Sequence, residues 1–187
     1  ITPINCHIFA EIVHESGLPA GVFNVVNGAG AEIGQALAAH PQVDMVSLTG
    51  SVAAGRQVME AAAANITKVS LELGGKAPAI VLKDADLDLA VKAILASRVG
   101  NSGQICNCAE RVYVHSSVHA AFVEKITAAM QAVRYGNPAE AAEGALEMGP
   151  LIEARAVEAV AEKVQRAVAQ GATLVCGGNR APGKGYF

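Results

Sequence analysis

The first 75 residues alternate between short apolar segments and segments rich in strong helix formers, with glycine or serine at the junctions. Before this alternation, Ile4, Ile8 and Ile12 recur at helical spacing, and Gly17 follows as a C-cap, which predicts an opening helix. Strands that alternate with helices favour a parallel sheet with right-handed crossovers, so we expect an α/β fold with a βαβαβ portion. The predicted strands are residues 22–26, 45–49 and 68–73, and the predicted helices between them are residues 31–39 and 53–64.

The chain beyond Gly75 continues the alternation, and we place a domain boundary near this glycine. Residues 84–86 contain two aspartates that can cap a helix, and Ser117 can cap a later helix that the Gly-Asn-Pro sequence at residues 136–138 would stop. Gly171 is expected to end another helix. The predicted strands are residues 77–82, 111–115 and 173–176, the predicted helices are residues 87–98, 117–133 and 153–170, and residues 177–185 are predicted to be irregular.

Composition excludes several classes of partner. The 187 residues are 52% hydrophobic and 17% charged, with a formal net charge of -3, which is typical of a globular protein. A nucleic-acid or anionic-membrane surface would need a strong basic excess, so we expect neither partner. No apolar run approaches the roughly 20 residues that span a bilayer, and the first residues do not have the pattern of a signal peptide, so a cytoplasmic protein is expected.

The four cysteines are Cys6, Cys106, Cys108 and Cys176, and their scattered placement does not indicate a disulfide framework. Cys106 and Cys108 are close enough in sequence to suggest a metal. A structural zinc site usually needs two well-spaced pairs of ligands, however, and the nearest further candidate is His115. We therefore expect no metal site.

Glycines follow the first predicted strand in a pattern that suits a phosphate. Gly28, Gly30 and Gly34 lie between a strand and a helix, where backbone amides can approach an anion. The spacing differs from the usual G-x-G-x-x-G sequence, and an ordinary tight turn is the alternative. Thr49-Gly50-Ser51 forms a second junction of this kind, for which a plain N-cap at Ser51 is the alternative. Two such junctions on consecutive βα units favour a nucleotide site.

Glu72 and Cys106 are the candidate reactive residues. A thiolate is a strong nucleophile toward a carbonyl, and a carboxylate can take a proton from an attacking water. Glu72 lies in an otherwise apolar strand, and Gly74 and Gly75 after it permit close approach of another group. A strand-end glutamate that faces solvent, and a cysteine that is a small buried hydrophobe, are the alternatives.

Four sequence motifs resemble the aldehyde dehydrogenase superfamily in order and spacing, over essentially the whole chain. Within it, residues 101–111 most resemble the NAD-dependent lactaldehyde and glycolaldehyde dehydrogenases. The motifs are Leu71-Glu72-Leu73-Gly74-Gly75-Lys76, Gly103-Gln104-Ile105-Cys106, Thr49-Gly50-Ser51 with Gly55, and Met148-Gly149-Pro150-Leu151. The resemblance implies that a Rossmann-like portion, residues 1–75, is the C-terminal part of a dinucleotide-binding domain, and that residues 76–187 are the N-terminal part of an α/β catalytic domain.

The resemblance also implies a role for each matching position. Cys106 would be the nucleophile, Glu72 the general base, and Asn107 a contact to the substrate hydroxyl or oxyanion. The expected reaction oxidises a small 2-hydroxyaldehyde to its acid through a thiohemiacetal and a thioester, with NAD as cofactor and NADP as the other possibility. The residues expected to bind the cofactor are Gly28, Gly30, Gly34, Gln35, Thr49, Gly50, Ser51, Gly55, Leu73 and Gly74.

Some family features are expected outside these residues. A cofactor-binding lysine and an oxyanion-hole asparagine would precede the chain, and a further cofactor-binding glutamate and the oligomerisation segment would follow it. We therefore expect an internal portion of a longer enzyme, which is inactive alone and forms a dimer or tetramer when complete. The alternatives are an enzyme for a semialdehyde or betaine aldehyde, and a non-catalytic nucleotide-binding or assembly fragment, which a buried and unreactive Cys106 would favour.

Overall fold

A computed structural model describes residues 3–181 and 185–186. Contacts divide the chain into two units, Ile1–Gly74 and Gly75–Phe187. The segment predicted to be irregular, residues 177–185, includes residues 182–184, which lie outside the described residues. Among the described residues, no helix is both long enough and apolar enough to cross a bilayer.

The first unit contains a two-stranded parallel sheet whose strands are joined by a helix, as the alternation predicts. Strands β1 and β2 pair in register from Met45 opposite Lys68 to Gly50 opposite Leu73. The α/β fold class and the parallel arrangement are therefore confirmed. The elements of this unit are α1 (Ile4–Glu15), a π-helical turn (Gly30–Gly34), α2 (Gln35–Ala38), β1 (Met45–Gly50), α3 (Val52–Ala63) and β2 (Lys68–Leu73).

The predicted strand at residues 22–26 is wrong. These residues belong to no strand, and among the described residues of this unit the sheet consists of β1 and β2. Val22 and Val26 leave 65% and 68% of their surface exposed, so the apolar composition that suggested a strand covers no sheet here. A segment becomes a strand through hydrogen bonds to a neighbour, which its own composition does not supply.

Small residues let α3 approach the sheet closely. Gly55 is buried, and a Cβ atom at this position would lie 2.8 Å from Cδ2 of Leu73 on β2. Ala62, further along the same helix, is also buried. A larger residue at Gly55 would therefore have to displace the end of the Leu73 side chain.

The second unit also contains a two-stranded parallel sheet. Strands β3 and β4 pair from Pro78 opposite Arg111 to Val81 opposite Val114. Its buried core joins Val81 of β3 to residues of two helices, namely Val91, Ile94 and Phe122. The elements are β3 (Pro78–Val81), α4 (Leu87–Val99), a 3-10 turn (Gly100–Gly103), β4 (Arg111–Val114), α5 (Ser116–Gln131) and α6 (Ala154–Ala169).

The N-cap of α4 matches its prediction, whereas the N-cap of α5 differs from its prediction. Asp86 caps α4 as predicted, because its Oδ1 accepts hydrogen bonds from the amides of Asp88 and Leu89 at 3.0 and 3.1 Å. The cap of α5 is His115, whereas Ser117 was predicted. Nδ1 of His115 accepts from the amide of Ser117 at 3.2 Å, so the serine already lies inside the helix.

The last predicted strand, residues 173–176, is also wrong. No strand is assigned there, and Leu174 and Val175 leave 51% and 55% of their surface exposed. The preceding helix ends as predicted: α6 runs to Ala169, and Gly171 adopts a φ of +96°, a left-handed conformation that favours glycine.

Candidate active site

The carboxyl ends of β1 and β2 bring five predicted site residues together. Thr49 lies opposite Glu72 and Gly50 lies opposite Leu73 in the parallel pairing. The pairing continues one residue beyond the strand, because the amide of Gly74 donates to the carbonyl of Gly50 at 3.2 Å. Backbone hydrogen bonds therefore fix the relative positions of these residues, whatever their side chains are.

Glu72 is exposed within its unit, whereas Leu71 and Leu73 on either side of it are half-buried. The strand alternation therefore turns the carboxylate away from the face that α3 covers. A glutamate that faces solvent was the alternative for this position, and the exposed side chain is accessible to water. The structure thus supplies a group that can accept a proton, at the end of a rigid strand.

Ser51 caps α3. Its Oγ accepts a hydrogen bond from the amide of Ala54 at 3.1 Å, and its carbonyl accepts from the amide of Gly55 at 2.9 Å. The N-cap alternative for Ser51 is therefore present in the structure. Contacts of Ser51 and Gly55 to a cofactor stay predictions, and the buried Gly55 also has a packing role against Leu73.

The three glycines of the first predicted phosphate turn differ in their surroundings. A Cβ atom at Gly28 would overlap Cδ1 of Ile33, so a larger residue there would have to displace the end of that side chain. Gly30 and Gly34 have open space where a Cβ atom would lie, and their bare backbone borders a cleft of about 570 Å³.

The cleft belongs entirely to the first unit, between the π-helical turn and α3. Gln35 and Gln57 supply amide groups to its lining beside the backbone of Gly30 and Gly34, and Glu60 supplies a carboxylate that can accept from a hydroxyl. Glycine backbone and neutral amides can donate hydrogen bonds to a polar ligand, and the volume lies within the range of small-molecule sites. These residues therefore fit a portion of a dinucleotide.

The loop that carries Cys106 begins with three consecutive left-handed residues. Asn101, Ser102 and Gly103 have φ angles of +47°, +57° and +74°. Glycine adopts this region freely and asparagine tolerates it, but a left-handed serine costs about 1–2 kcal/mol. A conformation of this kind persists only where surrounding contacts determine it.

Side chains of the loop supply such contacts. The amide group of Asn101 donates to the carbonyl of Gln104 at 3.3 Å, and the amide group of Gln104 donates back to the carbonyl of Asn101 at 3.0 Å. Ser102 Oγ donates to the carbonyl of Gly149 at 2.8 Å. The last bond joins two of the sequence motifs, because Gly149 belongs to Met148-Gly149-Pro150-Leu151.

Cys106 and Cys108 have opposite environments. Cys106 and its neighbour Asn107 are exposed, so a substrate can reach both side chains. Cys108 is buried, with its Sγ 3.0 Å from a guanidinium nitrogen of Arg98 and 3.6 Å from the carbonyl oxygen of Gly103. Within the described part of the chain, no three His, Cys, Asp or Glu side chains are grouped to hold a metal ion.

The far end of the loop is held by charged side chains that the sequence did not single out. Glu110 pairs with Lys76 and lies 3.7 Å from Arg98, and the hydrogen bond from Lys76 lowers the pKa of the Glu110 carboxyl from its usual 4.5. Arg111 Nε donates to the carbonyl of Lys76 at 2.8 Å. Lys76 lies in a quoted motif and Glu110 lies in the segment 101–111 that carries the finer resemblance, whereas no pattern pointed to Arg98.

Comparison with known proteins identifies the family of the chain. A model of the aldehyde dehydrogenase family matches residues 1–187. The chain is 60% identical to the lactaldehyde dehydrogenase of Escherichia coli (strain K12) and 45% identical to its succinate-semialdehyde dehydrogenase [NADP(+)], and each match covers all of this chain and 38% of the relative. The chain therefore spans a little more than a third of the length of these curated relatives.

Solved structures of aldehyde dehydrogenases are also similar to this chain. The crystal structure of Escherichia coli lactaldehyde dehydrogenase matches all of this chain and 39% of its own with a TM-score of 0.95. A betaine aldehyde dehydrogenase from Staphylococcus aureus in complex with NAD+ is 35% identical and matches 97% of this chain and 35% of its own, with a TM-score of 0.93. Since the family model matches the chain from end to end, the chain belongs to the aldehyde dehydrogenase family.

Proposed function

We propose that the full-length protein oxidises a small aldehyde to its carboxylic acid, with Cys106 as nucleophile and Glu72 as general base. The observation that carries the proposal is the exposure of Cys106 on an anchored loop, while Cys108 two residues away is buried. A non-catalytic module would not need an exposed thiol on a strained and anchored turn. The family membership supplies the reaction class.

The first step forms a bond between Cys106 Sγ and the carbonyl carbon of the aldehyde. The thiolate is the reacting form of cysteine, and its attack moves the carbonyl electron pair onto oxygen to give a thiohemiacetal. The backbone amide of Cys106 can donate a hydrogen bond to this oxyanion. Asn107, which is also exposed, adds a contact to the oxyanion or to the substrate hydroxyl.

The second step leaves a thioester on Cys106. A nicotinamide dinucleotide, when bound, would accept the hydride that leaves the former aldehyde carbon. The chain's own contribution is to hold the dinucleotide, and the amide groups of Gln35 and Gln57 and the backbone of Gly30 and Gly34 fit that role. The proposed cofactor-binding set is completed by Gly28, Thr49, Gly50, Ser51, Gly55, Leu73 and Gly74.

The third step is hydrolysis. Glu72 takes a proton from a water molecule, whose oxygen attacks the thioester carbon, and the carbon–sulfur bond breaks to release the acid and restore the Cys106 thiolate. The solvent-facing geometry of Glu72 gives water access to its carboxylate. We infer hydrolysis, and not transfer of the acyl group to coenzyme A, because this carboxylate is present.

The substrate that we propose is a 2-hydroxyaldehyde such as lactaldehyde or glycolaldehyde. The 60% identity to a lactaldehyde dehydrogenase supports this choice over a semialdehyde or betaine aldehyde, for which the identities are lower. NAD is the proposed cofactor, and NADP is the alternative because one relative is named for it. Assembly into a dimer or tetramer and a cytoplasmic location stay predictions of the sequence.

A panel of aldehydes tests the proposal in the full-length protein. We expect reduction of NAD with lactaldehyde and glycolaldehyde at a kcat/KM above that with succinate semialdehyde or betaine aldehyde, and weaker activity with NADP. Preference for a semialdehyde would overturn the substrate assignment and leave the reaction class intact. Absence of cofactor reduction with every aldehyde and both cofactors would overturn the proposed function.

A further inference from the structure

Arg98 lies in the last turn of α4 and reaches both sides of the Cys106 loop. On the side before Cys106, a Cβ atom at Gly103 would lie 2.9 Å from one guanidinium nitrogen of Arg98, so the arginine occupies the space that the glycine leaves. On the side after Cys106, another guanidinium nitrogen lies 3.0 Å from the Sγ of Cys108. One side chain thus contacts the loop three residues before and two residues after the nucleophile.

The same guanidinium is itself held in place. Its NH1 group lies 3.7 Å from Oε1 of Glu110, while Oε2 of Glu110 is engaged by Lys76. Glu110 is tied to the backbone as well, because its amide donates to the carbonyl of Ala77 at 3.1 Å. The charged side chains therefore form a row from Lys76 through Glu110 to Arg98, and the row ends at Cys108.

We infer that Arg98 is a positioning residue for the proposed reaction: through Gly103 and Cys108 it sets the shape of the loop that presents Cys106. The expected fall in kcat rests on the proposed function. The expected change in the shape of the loop rests on the geometry alone. Arg98 is assigned no contact with the substrate or with Cys106, and it acts by fixing the backbone on both sides of the nucleophile.

Simultaneous contact with Cys108 and Glu110 favours arginine over lysine at position 98. A guanidinium is planar and presents several N–H donors at fixed angles, so it can meet a sulfur and a carboxylate at once, whereas a lysine ammonium is a single point charge. The Arg98 side chain is 38% exposed, so most of its surface is covered by protein. Lysine would keep the charge and lose the simultaneous contacts.

Loss of the Arg98 contacts is expected to change the orientation of the Cys106 backbone amide. The backbone amide of Cys106 donates to the oxyanion only if the loop keeps its shape, and a left-handed turn that loses its support relaxes toward common conformations. A displacement of about 1 Å at reacting groups can lower a rate up to about 100-fold. Substrate binding depends less on this orientation, so we expect kcat to fall and KM to change little.

The test compares Arg98→Lys with Arg155→Lys in the full-length protein. Arg155 is an exposed arginine of the same unit that pairs with Glu153 at the start of α6, so Arg155→Lys makes the same exchange of guanidinium for ammonium at a different ion pair. We expect Arg98→Lys to lower kcat by about 10- to 100-fold with nearly unchanged KM. We also expect Cys108 to become reactive toward iodoacetamide, as measured by mass spectrometry of the labelled peptide. Arg155→Lys should change neither quantity.

A second variant, Glu110→Gln, covers the case in which Arg98→Lys does not fold. It removes the charge that holds Arg98 and should lower kcat and unmask Cys108 in the same direction, by a smaller factor. Wild-type kcat together with a protected Cys108 in both variants would overturn the inference. Labelling of Cys108 needs no activity, so it tests the loop geometry even if the proposed function fails in the aldehyde panel.

Discussion

The two proposed reactive residues are held in place by different kinds of interaction. Glu72 lies at the end of a strand whose position is set by backbone pairing, with Thr49 opposite it and the amide of Gly74 bonded to Gly50. Cys106 lies on a loop whose shape is set by side chains, among them Arg98 and the hydroxyl of Ser102. Backbone pairing tolerates many sequences, whereas side-chain contacts require particular residues.

The regions around Glu72 and Cys106 should therefore respond differently to substitution. Substitutions around Glu72 that spare the backbone should affect chemistry without affecting stability. Substitutions around Cys106 should often affect both, because the contacts that shape the loop are also contacts that stabilise the second unit. Variants of the two regions therefore test whether the two residues are held differently.

Removal of the nucleophile should have the largest effect. Cys106→Ser in the full-length protein is expected to lower kcat by at least about 1000-fold, because a serine hydroxyl without an activating base is a weak nucleophile. The exposed side chain contributes little packing, so the unfolding transition should stay near that of the wild type. Cys6→Ser, at another exposed cysteine, is the matched control and should retain full activity.

Replacement of the base should separate the steps of the reaction. Glu72→Gln keeps the shape of the side chain and removes its proton-accepting charge, so hydrolysis of the thioester is expected to slow by about 100- to 10,000-fold. Stopped-flow measurement should show a burst of cofactor reduction, close to one per active site, followed by slow turnover. Equal slowing of the burst and of the turnover would show that Glu72 acts before the thioester forms.

Two glycines allow a direct test of the difference in stability. Gly103→Ala places a Cβ atom against Arg98 at a φ of +74°, and we expect it to lower the free energy of unfolding by about 2 kcal/mol or more. Gly74→Ala lies at the end of β2 with nothing within 4 Å of the new atom, and its effect should stay within about 0.5 kcal/mol. Equal effects in chemical denaturation would remove the distinction between the two regions.

A smaller effect is expected at Ser97, which lies in α4 beneath the same loop. Its Oγ accepts a hydrogen bond from the amide of Ala109 at 3.0 Å in a half-buried position. Ser97→Ala leaves that amide without its partner, at a cost of about 1–3 kcal/mol if water cannot replace the hydroxyl and less if it can. Thermal unfolding measures the change, and Ser97→Thr, which keeps the hydroxyl, should recover most of it.

Sequence patterns predicted the regular elements well where the signal was local. Strand β2, residues 68–73, has the predicted bounds, and Asp86 caps α4 as expected. The predictions at residues 22–26 and 173–176 were wrong because a strand needs a hydrogen-bonded neighbour, which local composition does not reveal. The His115 cap was missed because an imidazole nitrogen is an uncommon acceptor at that position.

The residues of the candidate site also differ in whether the sequence alone predicts them. Cys106 and Glu72 stand in short motifs, so the amino-acid sequence alone is enough to nominate them. Arg98 could not be nominated in this way, because its contact with Cys108 depends on the left-handed turn between them. Contacts across a folded loop depend on backbone angles that a linear pattern does not encode.

Identification of the covalent intermediate tests whether Cys106 is the nucleophile. Full-length protein with Glu72→Gln is mixed with NAD and lactaldehyde, quenched in acid, digested, and analysed by mass spectrometry. We predict a lactoyl thioester on the peptide that contains Cys106, and its loss in the double variant with Cys106→Ser. An adduct on another cysteine, or cofactor reduction without any adduct at Cys106, would contradict the assignment of Cys106 as the nucleophile.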